Sequence, residues 1–161
     1  MAHQAGSAAD LERLMEEYGT GLLRLCALQL GDAALAEDAA QEVMLRLWKN
    51  TSGFEGDAHL RHWLVRVTIN VCKDLSRAPW RLHSVPLAQA PPQPCADEPE
   101  AQAVVEEILR LPKKYRVPLY LYHYEGYSVR EISALLKANP STIRTRLSRA
   151  RELLKHQLEE G

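Results

Sequence analysis

The stretch SVREISALLKANPSTIRTRLSRAREL, Ser128 to Leu153, decides how the rest of the chain is read. Ser128 followed by Glu131 forms a capping box, in which a hydroxyl and a carboxylate satisfy amides left free at a helix start. Val129, Ile132, Leu135 and Leu136 then give a short amphipathic helix, and KANP, residues 137–140, is a tight turn. Beyond the turn, Ile143, Leu147, Ala150 and Leu154 recur at helical spacing and make a stripe for burial. The opposite face carries Ser141, Thr145, Ser148 and Arg149, with Arg144 and Arg146 at its flanks. Small hydroxyl side chains let a backbone approach base edges, while guanidiniums reach phosphates. A solvated basic surface would have much the same composition. What favours DNA is the context, because helix, short turn and helix with a basic second face is the helix-turn-helix pattern.

The chain of 161 residues has room for one ordinary domain or two small ones. A hydrophobic content of 46% with 25% charged residues describes a globular protein rather than a disordered one. No apolar run approaches membrane-spanning length, and MAHQAGSAAD lacks the basic-then-apolar order of a signal peptide. Cys26, Cys72 and Cys95 are odd in number and widely spaced, which fits reduced thiols in a cytoplasm. His59 and His62 have ligand-like spacing but no CxxC accompanies them, so a solvent-facing pair is expected and no metal or other cofactor. There is no phosphate-cradling glycine loop, HExxH or nucleophile elbow, and the chain does not read as an enzyme.

The net charge of −1 hides an uneven distribution: −6 over residues 1–57, +4 over 58–83, −3 over 84–100 and +4 over 101–161. SVPLAQAPPQPCADEPE, residues 84–100, holds five of the nine prolines and no apolar periodicity, and reads as an extended linker. It divides the chain into two helical modules, residues 1–83 and 101–161.

In the first module, helices are expected from about Asp10 and again over Thr20–Leu30, with Gly31 as a stop and Asp32 as the next N-cap. The helix over Ala33–Lys49 sets Ala36, Ala39, Ala40, Val43 and Leu47 on one side and Asp38, Gln41, Glu42 and Leu45 on the other. A leucine among carboxylates and an amide suits a protein interface, with an apolar centre and polar rim, or else an acidic surface with one stray leucine. After TSGFEGD, Asp57 is expected to cap a helix to about Arg77, buried through Leu60, Trp63, Leu64, Val67, Val71 and Leu75. His62, Arg66, Asn70, Lys73 and Arg77 line an adjoining band, fit to track a nucleic-acid backbone or to face solvent.

In the second module a helix over Ala101–Leu111 is expected to bury Val104, Val105, Ile108 and Leu109. RVPLYLYHYEGY alternates tyrosines as a strand would, but a lone strand has no partner here, so it is assigned as helix. Pro118 then belongs near a first turn or a kink.

From about Tyr18 to Leu154, apart from the linker, the chain resembles the extracytoplasmic-function (ECF) sigma factors, the compact branch of the sigma-70 family. AEDAAQEVMLRLWKN resembles the helix that grips the clamp helices of the polymerase β′ subunit. FEGDAHLRHWLVRVTINVCKDLSR resembles the segment that melts and reads the minus-10 element. LPKKYRVPLYLYHYEGYSVREISALLKANPSTIRTRLSRAREL resembles the minus-35 reader.

The resemblance implies an all-α fold of two small helical domains joined by the proline-rich linker, the second a winged-helix-like helix-turn-helix. It implies core RNA polymerase as partner, through the β′ clamp helices and the β flap, together with promoter DNA, and it admits an anti-sigma protein. Asp38, Gln41, Glu42 and Leu45 would meet the polymerase. Gly53, Phe54 and Asp57 would hold a flipped non-template base, with Arg66, Asn70 and Arg77 on that strand's backbone. Ser141, Thr142, Arg144, Thr145, Arg146, Ser148 and Arg149 would read the minus-35 groove. Three positions depart from the common pattern: Val65 replaces an aromatic, Ser133 an alanine and Lys137 a glycine. The rival function is a helix-turn-helix repressor or activator that works without polymerase and uses the first module to dimerise or sense.

Overall fold

The computed structural model describes residues 2–3, 8–50, 53–77 and 99–160, and the chain divides into two compact units, residues 1–96 and 97–161. The proline-rich stretch 84–98 and Cys95 lie outside the described residues.

Unit 1 is built on three helices, α1 (Ala8–Leu30), α2 (Ala33–Lys49) and α3 (Asp57–Ser76), all packed against one another. A two-residue antiparallel pairing of β1 (Ala2–His3) with β2 (Phe54–Glu55) is its extended structure among the described residues. The expected break in α1 near Thr20 is absent, and one helix runs through Gly19 and Gly21. Each glycine costs about 1 kcal/mol relative to alanine. Each buried leucine contributes about 1.5–3 kcal/mol, and Leu14, Leu22, Leu25 and Leu28 are all buried at helical spacing across the glycines. Burial wins.

Gly31 ends α1 with φ of 67°, a left-handed conformation that suits glycine. Asp32 then caps α2, its Oδ1 accepting from the Leu35 amide at 2.9 Å. Ala36, Ala39, Val43 and Leu47 face the core, and the small alanines allow close helix approach. On α3 the buried set is wider than the sequence stripe and includes Val65, Thr68, Ile69 and Cys72, while Trp63, Val67 and Leu75 are only half-buried. The reason is that α3 packs on both α1 and α2, so two of its sides are covered. Gln29 Nε2 donates to the Ile69 carbonyl at 3.1 Å, joining α1 to α3. Cys26 and Cys72 are both free and buried, and a thiol–thiol hydrogen bond together with burial holds the Cys26 thiol well above its ordinary range.

Asp57 is not the cap of α3. Gly56 occupies that position with φ of 97°, and Asp57 is the first helical residue, where its carboxylate favours the positive end of the helix.

Unit 2 comprises α4 (Pro99–Leu109), α5 (Lys113–His123), α6 (Val129–Leu136) and α7 (Pro140–Glu160). Every described element in it is helical, so the helix-turn-helix carries no wing among the described residues. On α4, Ile108 is buried but Val104 is 45% exposed, against expectation, because it borders an open groove between α4, α5 and α7. RVPLYLYHY is helix. Pro118 sits in its second turn rather than its first, and burial of Pro118, Leu119 and Leu121 offsets the lost donor. Tyr120 is core and donates through its hydroxyl to Glu125 at 3.0 Å, while Tyr122 and Tyr124 remain exposed.

The capping box forms as the sequence indicates. Glu131 N donates to Ser128 Oγ at 3.1 Å, and Ser128 N donates to Glu131 Oε1 at 3.0 Å. At the turn Lys137 takes the left-handed conformation, φ 55°, that a glycine would hold without strain. Ser133 Oγ donates to the Ala138 carbonyl, a bond that an alanine at 133 could not make.

Candidate nucleic-acid and protein interfaces

With Ala36, Ala39, Val43 and Leu47 buried, α2 turns Asp38, Gln41 and Leu45 outward, with Glu42 half-buried beside them. Leu45 is 53% exposed. Trp48, which the sequence reading did not name, is 45% exposed and lies three residues on, in the same stripe. The signal was available in the spacing 38, 41, 45 and 48. Glu42 Oε1 accepts from Arg46 Nε at 3.1 Å, so a guanidinium also borders this face. The patch has an apolar pair at its centre and charged and amide groups around it, as protein interfaces do.

On α3 the band forms as the spacing requires: Arg66 and Arg77 are exposed, and His62, Asn70 and Lys73 are half-buried along one side. The preceding loop differs from expectation. The Phe54 ring is buried, edge-on to His59 and to Trp63 at 5.3 Å each. It anchors the loop and presents no stacking surface. His59 is solvent-facing, as expected, and also accepts from the Glu55 amide at Nδ1, 3.0 Å. What the loop offers outward is Gly53, held at φ 73°, Glu55, Gly56 and Asp57. Val65 is buried and gives this surface nothing.

On α7, Ile143, Leu147 and Ala150 are buried, whereas Ser141, Arg144, Thr145, Ser148 and Arg149 are exposed, and Thr142 and Arg146 are half-buried. The structure therefore brings all seven sequence-named residues to the outward side of one helix. Thr145 Oγ1 donates to the Ser141 carbonyl at 3.0 Å, which leaves its lone pairs free to accept from a base amino group. Unit 2 also has an apolar groove of about 550 Å3 between α4, α5 and the end of α7, lined by Val104, Ile108, Leu119, Leu154 and Leu158, with Arg151 and Lys155 beside them.

Among the described residues no three or more His, Cys, Asp or Glu side chains gather as a metal site would require. Among them, too, no helix is long and apolar enough to cross a membrane.

Comparison with known proteins agrees with this division. Residues 14–82 match the Sigma-70 region 2 family and residues 101–154 match Sigma-70, region 4. The chain is 30% identical over 155 residues to the ECF RNA polymerase sigma factor SigM of Mycobacterium tuberculosis, covering 95% of this chain and 79% of that protein. It is 27% identical to the ECF RNA polymerase sigma factor SigW of Bacillus subtilis, covering 91% and 88%. In fold it is similar to the sigma factor RpoE of Bartonella quintana, solved with the anti-sigma factor NepR, with TM-score 0.69 and 22% identity over 94% of this chain and 98% of that one. It is also similar to CnrH, solved with the cytosolic domain of CnrY, with TM-score 0.58 and 22% identity over 97% and 92%. The chain belongs to the ECF sigma factors of the sigma-70 family, the subunits that direct RNA polymerase in transcription initiation.

Proposed function

We propose that the two units divide the work of promoter recognition, residues 1–83 acting on polymerase and the minus-10 element and residues 101–161 on the minus-35 element. Asp38, Gln41, Glu42 and Leu45 dock on the β′ clamp helices, and Trp48 extends the apolar centre of that contact. Arg66, Asn70 and Arg77 follow the backbone of the separated non-template strand, and the loop of Gly53, Glu55, Gly56 and Asp57 receives a flipped base. Phe54 holds that loop in place from beneath. Thr145, Ser148 and Arg149 read base edges in the minus-35 major groove, while Ser141, Thr142, Arg144 and Arg146 grip phosphates. The apolar groove of unit 2 takes a helix of the β flap. RpoE of Bartonella quintana was solved with the anti-sigma factor NepR, and a partner of that class is proposed here too. The work takes place in the cytoplasm, where buried reduced thiols persist.

The observation that carries this reading is α7: one side sealed by Ile143, Leu147 and Ala150, the other a run of exposed hydroxyls and arginines behind a tight turn. The test is run-off transcription on genomic fragments with core polymerase. Discrete new transcripts that depend on adding the chain are expected. Their absence would overturn the proposal and favour a repressor or activator acting without polymerase.

A further inference from the structure

The first turn of α5 lies beside the N-terminal half of α7, and a cleft of about 350 Å3 opens between them. Ser141, Thr142 and Thr145 line it together with three cations, Arg146 and Arg149 from α7 and Lys114 from α5. No acidic side chain takes part. Lys114 is exposed, and its Nζ stands 5.1 Å from the centre of the buried Tyr115 ring, which completes the lining. Among the described residues Lys114 has no carboxylate partner. Two other cations of the unit are engaged, Arg110 with Glu107 at 3.5 Å and Arg151 with His123 at 3.0 Å. A lysine without a counter-ion, resting on an aromatic ring and facing hydroxyls and guanidiniums, belongs to a surface suited to an anion.

We infer that Lys114 contacts a phosphodiester of the minus-35 duplex, so that the DNA footprint of unit 2 reaches beyond the helix-turn-helix to the start of α5. This rests on α7 being the minus-35 recognition helix. Lys114 supplies affinity and register but no base choice, because a lysine on a phosphate oxygen carries no sequence information. The Tyr115 ring restricts where the ammonium goes, which lowers the side-chain ordering required on binding. The cleft thus joins two kinds of contact: Thr145 and Arg149 toward bases, Lys114 and Arg146 toward the adjoining strand.

The experiment is titration of a promoter fragment, first identified by run-off transcription, with holoenzyme reconstituted from core polymerase and the full chain. Binding is measured across a salt series and on fragments with exchanged minus-35 base pairs. Lys114→Gln should reduce the slope of log affinity against log salt by roughly 0.9, the value for one phosphate contact. Its loss should be equal on every minus-35 variant, and Lys114→Arg should keep the parent slope. Arg149→Ala in parallel should lose discrimination at particular base pairs. An unchanged slope in Lys114→Gln, with discrimination still lost in Arg149→Ala, overturns the Lys114 contact and leaves the recognition helix standing. Unchanged behaviour of both variants contradicts both. Weakened association of Lys114→Gln with core polymerase at unchanged slope also overturns the inference and assigns the cleft to an acidic protein segment.

Discussion

Arg151 on α7 donates through Nε to Nε2 of His123 on α5 at 3.0 Å, and the same guanidinium lies 5.4 Å from the centre of the Tyr122 ring. The bond requires a neutral imidazole, since a protonated one has no lone pair to offer. Burial first, and the Arg151 charge second, lower the His123 pKa from its ordinary value. An unfolded histidine titrates near about 6.5. Stability from this contact is therefore present above that pH and lost as pH falls through the lower folded value. Thermal unfolding of the chain should shift to lower temperature between about pH 7 and 5. His123→Gln, which keeps an acceptor, should flatten that dependence. Identical pH profiles for parent and variant would contradict it.

Arg149 and Arg146 lie about one turn apart on α7, and the proposed reading gives them different roles. Both line the cleft with Lys114, but Arg149 is exposed whereas Arg146 is half-buried. Arg149→Ala should cost about 1–3 kcal/mol at particular minus-35 base pairs. Arg146→Ala should weaken binding evenly across sequences. Holoenzyme titrations on a set of promoter variants check this, and equal losses everywhere for both substitutions would remove the distinction.

Glu42→Lys should abolish or strongly weaken docking on core polymerase without unfolding α2. The parent ion pair with Arg46 is solvent-exposed, and such i,i+4 pairs contribute only about 0.3–0.5 kcal/mol, so helix content by circular dichroism should not change. Competition binding to core polymerase gives the readout. Undiminished affinity of the variant would mean that this face of α2 does not dock.

Lys137 stands in the left-handed region at the turn between α6 and α7. A side chain there costs about 1–2 kcal/mol, part of which glycine recovers before its greater unfolded-state freedom is counted. Lys137→Gly should raise the stability of the chain by about 0.5–1 kcal/mol in denaturant titration. A loss of stability would show that the lysine side chain makes contacts that outweigh the strain.

The turn-and-cap chemistry was open to reading because it is local: Asp32, Gly31 and the Ser128–Glu131 box act within a few residues of themselves. The outward face of α7 followed from periodicity alone. What the sequence obscured was decided by packing between elements. Packing of α2 and α3 carries α1 through two glycines that local preference would use as a break. Phe54 looks free in a polar loop, yet His59 and Trp63 of α3 enclose its ring. Trp48 is the converse case, a residue type usually buried that is left half exposed beside Leu45. Lys114 could not be linked to α7 from its position in sequence, because the cleft exists only once α5 and α7 pack.

Dependence of DNA binding on polymerase is the measurement that bears most directly on the account. Residues 128–156 carry a local charge of +5, enough for a few phosphate contacts, while residues 1–57 carry −6 and repel DNA. On the proposed reading, two weak readers become one bivalent engagement only when polymerase holds both units. Gel-shift titration of the intact chain on its promoter fragment, at matched salt with and without core polymerase, should show weak, salt-sensitive binding alone and tight, sequence-specific binding with polymerase. Tight, sequence-specific binding by the chain alone would contradict the account and point to a regulator that works without polymerase.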